Sequence, residues 1–205
     1  MEHRLGGTGW RLRLLPALCL TIVGLYPLLF EGSLLVQALD APPDGWLGLA
    51  AAVEAGSVPA LLVLLVIAPL IEELLFRGLI LRGLEALFPA TLAILLSAAM
   101  FAAFHGDVSQ LLPAFTAGVL FGWLYVKTES LFLPILGHIF WNAQLLLLDR
   151  WPWLDLPAAA ELARFAGEPP VQPVWWLGVC GVAAVGGAVA LGSAIRRAER
   201  PARLA

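Results

Sequence analysis

The segment from Leu61 to Ile71 contains no charged side chain and runs unbroken into Glu72-Glu73-Leu74-Leu75-Phe76-Arg77. An apolar run of this kind that continues past a charged hexapeptide is long enough to cross a bilayer. It then carries two carboxylates and a guanidinium into lipid, each costing about 2.5–3.5 kcal/mol at the membrane centre. The chain can carry that cost only if these groups turn inward, toward other helices or a polar cavity. The first constraint is therefore a helical bundle with a charged interior, and the default reading of the charges is a functional site.

The rest of the sequence agrees. Of 205 residues, 60% are hydrophobic and only 13% charged, where a soluble domain has about 25% charged residues. Mean hydropathy is +0.88. The fold class expected is all-α, a polytopic transmembrane bundle. Cys19 and Cys180 lie far apart in apolar runs, as buried free thiols do, and neither has a histidine nearby in sequence to make it a nucleophile. A net charge of −3 gives no support for a nucleic-acid partner; the bilayer itself is the expected partner.

A spanning helix needs about 20 apolar residues, and six candidates meet or approach this, at 14–38, 58–86, 90–105, 111–127, 131–148 and 174–195. Asp40-Ala41-Pro42-Pro43-Asp44-Gly45 and Phe88-Pro89 are breaks. Residues 149–173 form the one long linker, outside the membrane and proline-rich, with a short interfacial helix expected near 157–166. All 205 residues read as one membrane domain with a core at 58–148, an N-terminal span at 14–38 and a C-terminal span at 174–195. The first apolar run is too long for a signal core, so an uncleaved helix is favoured over a signal peptide cut near Gln37–Ala41. With six spans, Arg4, Arg11, Arg13, Arg82, Lys127, Arg196, Arg197, Arg200 and Arg203 share one side, which places both termini in the cytoplasm. Trp46, Trp151, Trp153, Trp175 and Trp176 fall near the opposite face, as an aromatic belt would.

Three polar clusters interrupt these spans. Glu73 and Arg77 are four residues apart and share a helix face, while Glu72 is turned about 100° away. His138 and Asn142 form a second pair at the same spacing. His105 closes the third span. Counting 1.5 Å per residue from the cytoplasmic face puts Glu72 at roughly 21 Å, His105 at about 22 Å, His138 at about 10 Å and Asn142 at about 16 Å. Groups from three helices thus reach comparable depths and are expected to converge on one cavity. Pro69 and Pro134 precede Glu72 and His138 by three and four residues, where each removes a backbone donor and tends to kink its helix.

A carboxylate and a histidine in a low-dielectric cavity suit the activation of water, and a second polar pair suits the stabilisation of an oxyanion. The matching reaction class is hydrolysis of an acyl bond, most naturally a peptide. No His-Glu-x-x-His motif, no Gly-x-Ser signature within a span and no intramembrane aspartate occurs. Glu72, His105 and His138 are acceptable zinc ligands by type, yet their wide spacing is nonspecific; metal-free chemistry and no organic cofactor are expected.

Glu-Glu-x-x-x-Arg at 72–77, Phe-x-x-x-His at 101–105 and His-x-x-x-Asn at 138–142 resemble, in order and spacing, the motifs of the CPBP family. These are the CAAX prenyl proteases and bacteriocin-processing relatives, also described as the Abi family. The resemblance covers about 70 residues, and Phe115-Thr116-Ala117-Gly118 and Thr128-Glu129-Ser130-Leu131 look like the family's connecting segments. It implies a glutamate-dependent intramembrane endopeptidase in which Glu72 and His105 activate water and His138 and Asn142 form the oxyanion hole. Glu73 and Arg77 would support them. The substrate implied is a membrane-associated peptide or protein, and the compact chain resembles a prokaryotic member of the inner membrane. The alternatives are a non-hydrolytic scaffold or bacteriocin self-immunity protein of the same family, and a small proton-relay transporter.

Overall fold

The computed structural model describes residues 9–37, 52, 56–149 and 174–199, and among these residues every regular element is a helix. A short helix α1 (Gly9–Leu12) leads into α2 (Leu15–Gln37). Next come α3 (Val58–Glu85), α4 (Ala90–Phe104), α5 (Val108–Thr128), α6 (Phe132–Asp149) and α7 (Val174–Glu199). A helix therefore occupies each of the six expected spans. Four stretches are long and apolar enough to cross a membrane: Gly9–Leu29, Val58–Glu85, Gln110–Thr128 and Leu177–Ala198. The expected third span is a shorter apolar helix of 15 residues, and the fifth is diluted by His138, Asn142 and Gln144. The 149–173 linker with its interfacial helix, the signal-cleavage region and most of the tryptophan belt lie outside the described residues.

The burial pattern is that of a protein whose solvent is lipid. Leu62, Val63, Ile67, Leu70, Ile71 and Leu74 of α3 are exposed, as are Val179, Val182, Val185 and Val189 of α7. Glu73, Arg77, Ser97, Thr128, His138 and Gln144 are buried. Water around the exposed valines and leucines would oppose this arrangement; hydrocarbon accepts it, while backbone groups stay bonded within their helices.

The main core joins four helices. Leu14 in the turn before α2, and Leu18, Ile22 and Tyr26 within it, recur every four residues and share a cluster with Phe121 and Leu124 of α5, Leu133 and Trp141 of α6, and Leu191 and Ile195 of α7. Arg11 donates from Nη2 to the Thr128 carbonyl at 3.1 Å, tying the entry of α2 to the exit of α5. Arg11 and Lys127 therefore lie at one end of the bundle, and Leu14 belongs to the same core cluster as Ile195, the neighbour of Arg196.

The α2–α7 contact is made by backbone. A Cβ on Gly24 would strike Ala184 N and Cys180 O, and one on Gly187 would strike Thr21 N. Small residues let transmembrane helices approach this closely, and dispersion then replaces the missing hydrophobic drive. A second such approach, of Gly118 in α5 to Ala98 in α4, would place a Cβ 2.9 Å from the Ala98 Cα. It brings the Gly118 carbonyl within reach of α3.

Helix α3 departs from regular geometry twice. Val63–Ile67 and Leu74–Leu81 form wide turns of the π type, bracketing a regular segment at Ala68–Glu73. The first has an evident cause in Pro69, whose ring clashes with the carbonyl four residues back in a regular helix. Neighbouring helices donate to one carbonyl in each of these irregular segments. Ser97 Oγ donates to Phe76 O at 3.1 Å, and Asn142 Nδ2 donates to Leu64 O at 2.9 Å.

Candidate functional site

Glu72 and Glu73 end the regular segment of α3 and point in different directions, as consecutive helical residues must. Glu73 is fully buried. Its Oε1 lies 3.1 Å from Arg77 Nη1, the i,i+4 pair the spacing predicts. The same oxygen lies 2.9 Å from His138 Nδ1, a contact the sequence reading did not anticipate. Glu73 therefore bridges a cation on its own helix to an imidazole on α6, 65 positions further along the chain.

Arg77 is 1% exposed and held on several sides. Nη2 donates to the Gly118 carbonyl at 3.2 Å, and the guanidinium carbon sits 4.6 Å from the centroid of the Phe101 ring and 5.7 Å from that of Phe121. Aromatic faces attract a desolvated guanidinium more than a comparable alkyl wall would. The hydrogen-bond inventory is nevertheless incomplete. Glu73 Oε2, Arg77 Nε and Arg77 Nη1 are buried without a hydrogen bond, so the 3.1 Å contact is an ion pair whose proton is poorly aligned. The cluster is balanced in charge and poor in hydrogen bonds, a combination that favours function over stability as its reason for existing.

His138 is the meeting point. Nδ1 faces the Glu73 carboxylate, an acceptor, so that nitrogen carries a proton. Nε2 lies 3.6 Å from Glu72 Oε2, beyond hydrogen-bond length but close enough for strong charge interaction in an interior of low dielectric. The ring stacks on Phe121, with centroids 5.6 Å apart and planes at 27°, and meets Phe101 edge-on at 5.7 Å. Glu72 retains 18% of its side-chain exposure where Glu73 has none, so Glu72 is the more accessible of the two carboxylates.

His105 follows the last turn of α4. Its Nδ1 lies 2.9 Å from the Phe101 carbonyl, so Nδ1 donates and the lone pair of a neutral ring resides on Nε2. Its ring meets Phe101 edge-on at 4.8 Å. Phe101 thus touches both histidines and lies under Arg77, a role the sequence reading did not assign to it. Asn142, one turn along α6 from His138, faces α3 through the Leu64 carbonyl.

The structure accordingly gathers Glu72, Glu73, Arg77 and His138 in direct contact. It sets Asn142 against the same helix and connects His105 through Phe101. Among the described residues no three His, Cys, Asp or Glu side chains are grouped to hold a metal ion. Glu72, His105 and His138 therefore form no ready ligand shell in this arrangement.

Comparison with known proteins falls on the same stretch. Residues 54–144 match the family described as Type II CAAX prenyl endopeptidase Rce1-like. Over 87 residues the chain is 29% identical to the protein of Bacillus subtilis (strain 168) described as "Putative membrane peptidase YdiL". That match takes in 42% of this chain and 36% of the relative, so the likeness spans about a third of the relative's length. No solved structure matches the chain.

Proposed function

We propose that the chain is an intramembrane endopeptidase using Glu72 as its general base, a reading supported by the match of residues 54–144, which hold the whole site, to the Rce1-like family. The observation that carries the reading is the convergence of Glu72, Glu73 and His138 from two helices inside the bundle.

In this mechanism Glu72 removes a proton from water while His105 Nε2 holds the second hydrogen. The water oxygen attacks the scissile carbonyl carbon. The resulting oxyanion accepts hydrogen bonds from His138 Nε2–H and Asn142 Nδ2–H, and Glu72 returns its proton to the leaving nitrogen as the C–N bond breaks. Glu73 holds His138 by its Nδ1–H, and a proton on Nε2 then makes the ring a donor on both sides whose charge Glu73 offsets. Arg77 in turn balances Glu73. Electrostatic support of this kind is worth most in a site that excludes bulk water. The chemistry proposed needs neither metal nor organic cofactor, and the substrate is a membrane-associated peptide or protein. The bundle end bearing Arg11, Lys127 and Arg196 is assigned to the cytoplasm on charge grounds.

The test is cleavage of an internally quenched peptide library, with and without a prenylated C-terminal cysteine, by full-length protein in liposomes. Glu72→Gln and His105→Ala should each slow turnover by roughly 10²–10⁴-fold. Equal turnover in wild type and both variants would remove Glu72 and His105 from the mechanism. The prenylated and unprenylated arms decide the substrate class. Elemental analysis of the purified protein, with activity followed through chelation and zinc addition, checks the metal-free assignment.

A further inference from the structure

The Leu64 carbonyl is left open by two local features of α3. In a regular α-helix it would accept from the Ala68 N–H, but that group donates to Val63 O across the wide turn. The next donor in a π pattern would be residue 69, which is proline and has no N–H. The carboxamide of Asn142 fills the place, Nδ2 lying 2.9 Å from Leu64 O across 78 positions of sequence. Because the partner is a carbonyl, the nitrogen end of the amide must face α3. One of the two Nδ2 hydrogens is thereby committed, and the planar amide fixes the direction of the other.

We infer that Pro69 is a positioning residue: by keeping the Leu64 carbonyl without a backbone donor, it makes α3 hold Asn142 so that the second Nδ2–H serves the oxyanion. This deepens the endopeptidase reading and rests on it for the role of Asn142. The linkage from Pro69 through Leu64 to Asn142 stands on geometry alone. Pro69 is itself buried, and its effect on the reaction passes through the position of a hydrogen-bond donor. Proline here does more than bend a helix; it decides which group caps a carbonyl.

Asn142 is the sole asparagine in the sequence, so full-length protein labelled with side-chain ¹⁵N-asparagine in lipid nanodiscs gives a single Nδ2 amide pair. In the wild type one proton of that pair should be shifted downfield and exchange more slowly than its geminal partner. Pro69→Ala and Pro69→Gly both restore an N–H toward Leu64 O, and in each the two protons should become alike. A pair unchanged in both variants would overturn the linkage.

The second arm is the quenched-peptide assay in a double-mutant cycle. Pro69→Ala should lower kcat by roughly ten- to a hundredfold with KM unchanged, less than the 10²–10³-fold expected for losing the donor outright. In an Asn142→Ala background Pro69→Ala should have no further effect on kcat. Additive losses, or a change in KM alone, would reduce Pro69 to a structural residue. Wild-type turnover by Asn142→Ala would instead sink the oxyanion assignment, with the amide spectrum still judging the linkage.

Discussion

Helices α2 and α7 meet along Gly24 and Gly187 with backbone against backbone, whereas α3 and α6 meet through Glu72, Glu73, His138 and Asn142. Both contacts must hold in lipid, where burial of apolar surface gives no advantage to one helix pair over another. The first relies on shape: small residues that let one backbone lie against another. The second relies on polar groups that tolerate no change of partner, and its helix α3 is irregular so that carbonyls and carboxylates can be reached. The difference teaches where selection for packing ends and selection for chemistry begins. The family match runs over 54–144 and leaves both α2 and α7 outside.

That contrast can be broken by substitution. The largest effect is expected for Arg77→Ala, which leaves the fully buried Glu73 carboxylate with only His138 beside it. Chemical unfolding of the full chain in micelles should show a loss of about 3–5 kcal/mol. A double Glu73→Leu, Arg77→Met variant should recover most of that stability yet remain slow in peptide cleavage, because His138 loses its anchor. Recovery of both would mean the ion pair serves the fold alone. Gly24→Leu should cost about 1–3 kcal/mol by forcing α2 from α7, with turnover per folded molecule unchanged. A loss of turnover without a loss of stability would show that the shape-based half reaches into the chemistry. Ser97→Ala should cost about 1 kcal/mol by removing one interhelical hydrogen bond, seen as a small shift in the same unfolding transition.

Much of this arrangement is written in local spacing. The apolar runs predict each helix, and the four-residue interval predicts the Glu73–Arg77 pair and the divergence of Glu72. The interval between His138 and Asn142 predicts a shared face, and both do face α3. The bridge from Glu73 to His138 was not legible, since an i,i+4 pair looks complete and nothing local announces a second partner. The bond from Asn142 to Leu64 was hidden for a different reason. It depends on a wide turn that moves a carbonyl out of register, and only Pro69 hinted that the helix would yield there. Ser97 gave a fainter signal, a serine hydroxyl in an apolar helix that could as readily have bonded within its own turn. Phe101 opened a recognised motif without a stated task; its contacts with two histidines and an arginine emerge only when three helices are assembled.

The brevity of α4 has a consequence for water. Its 15 residues reach about 22 Å at 1.5 Å per residue, against a hydrocarbon thickness of about 30 Å. A bilayer beside a helix that short thins to meet it. Thinning of this kind would bring the aqueous boundary to the turn at the end of α4, His105-Gly106-Asp107, at one point on the protein's perimeter. The hydrolytic centre proposed above would need a supply of its second reactant, and a dimple in the membrane at His105 would deliver it without a channel.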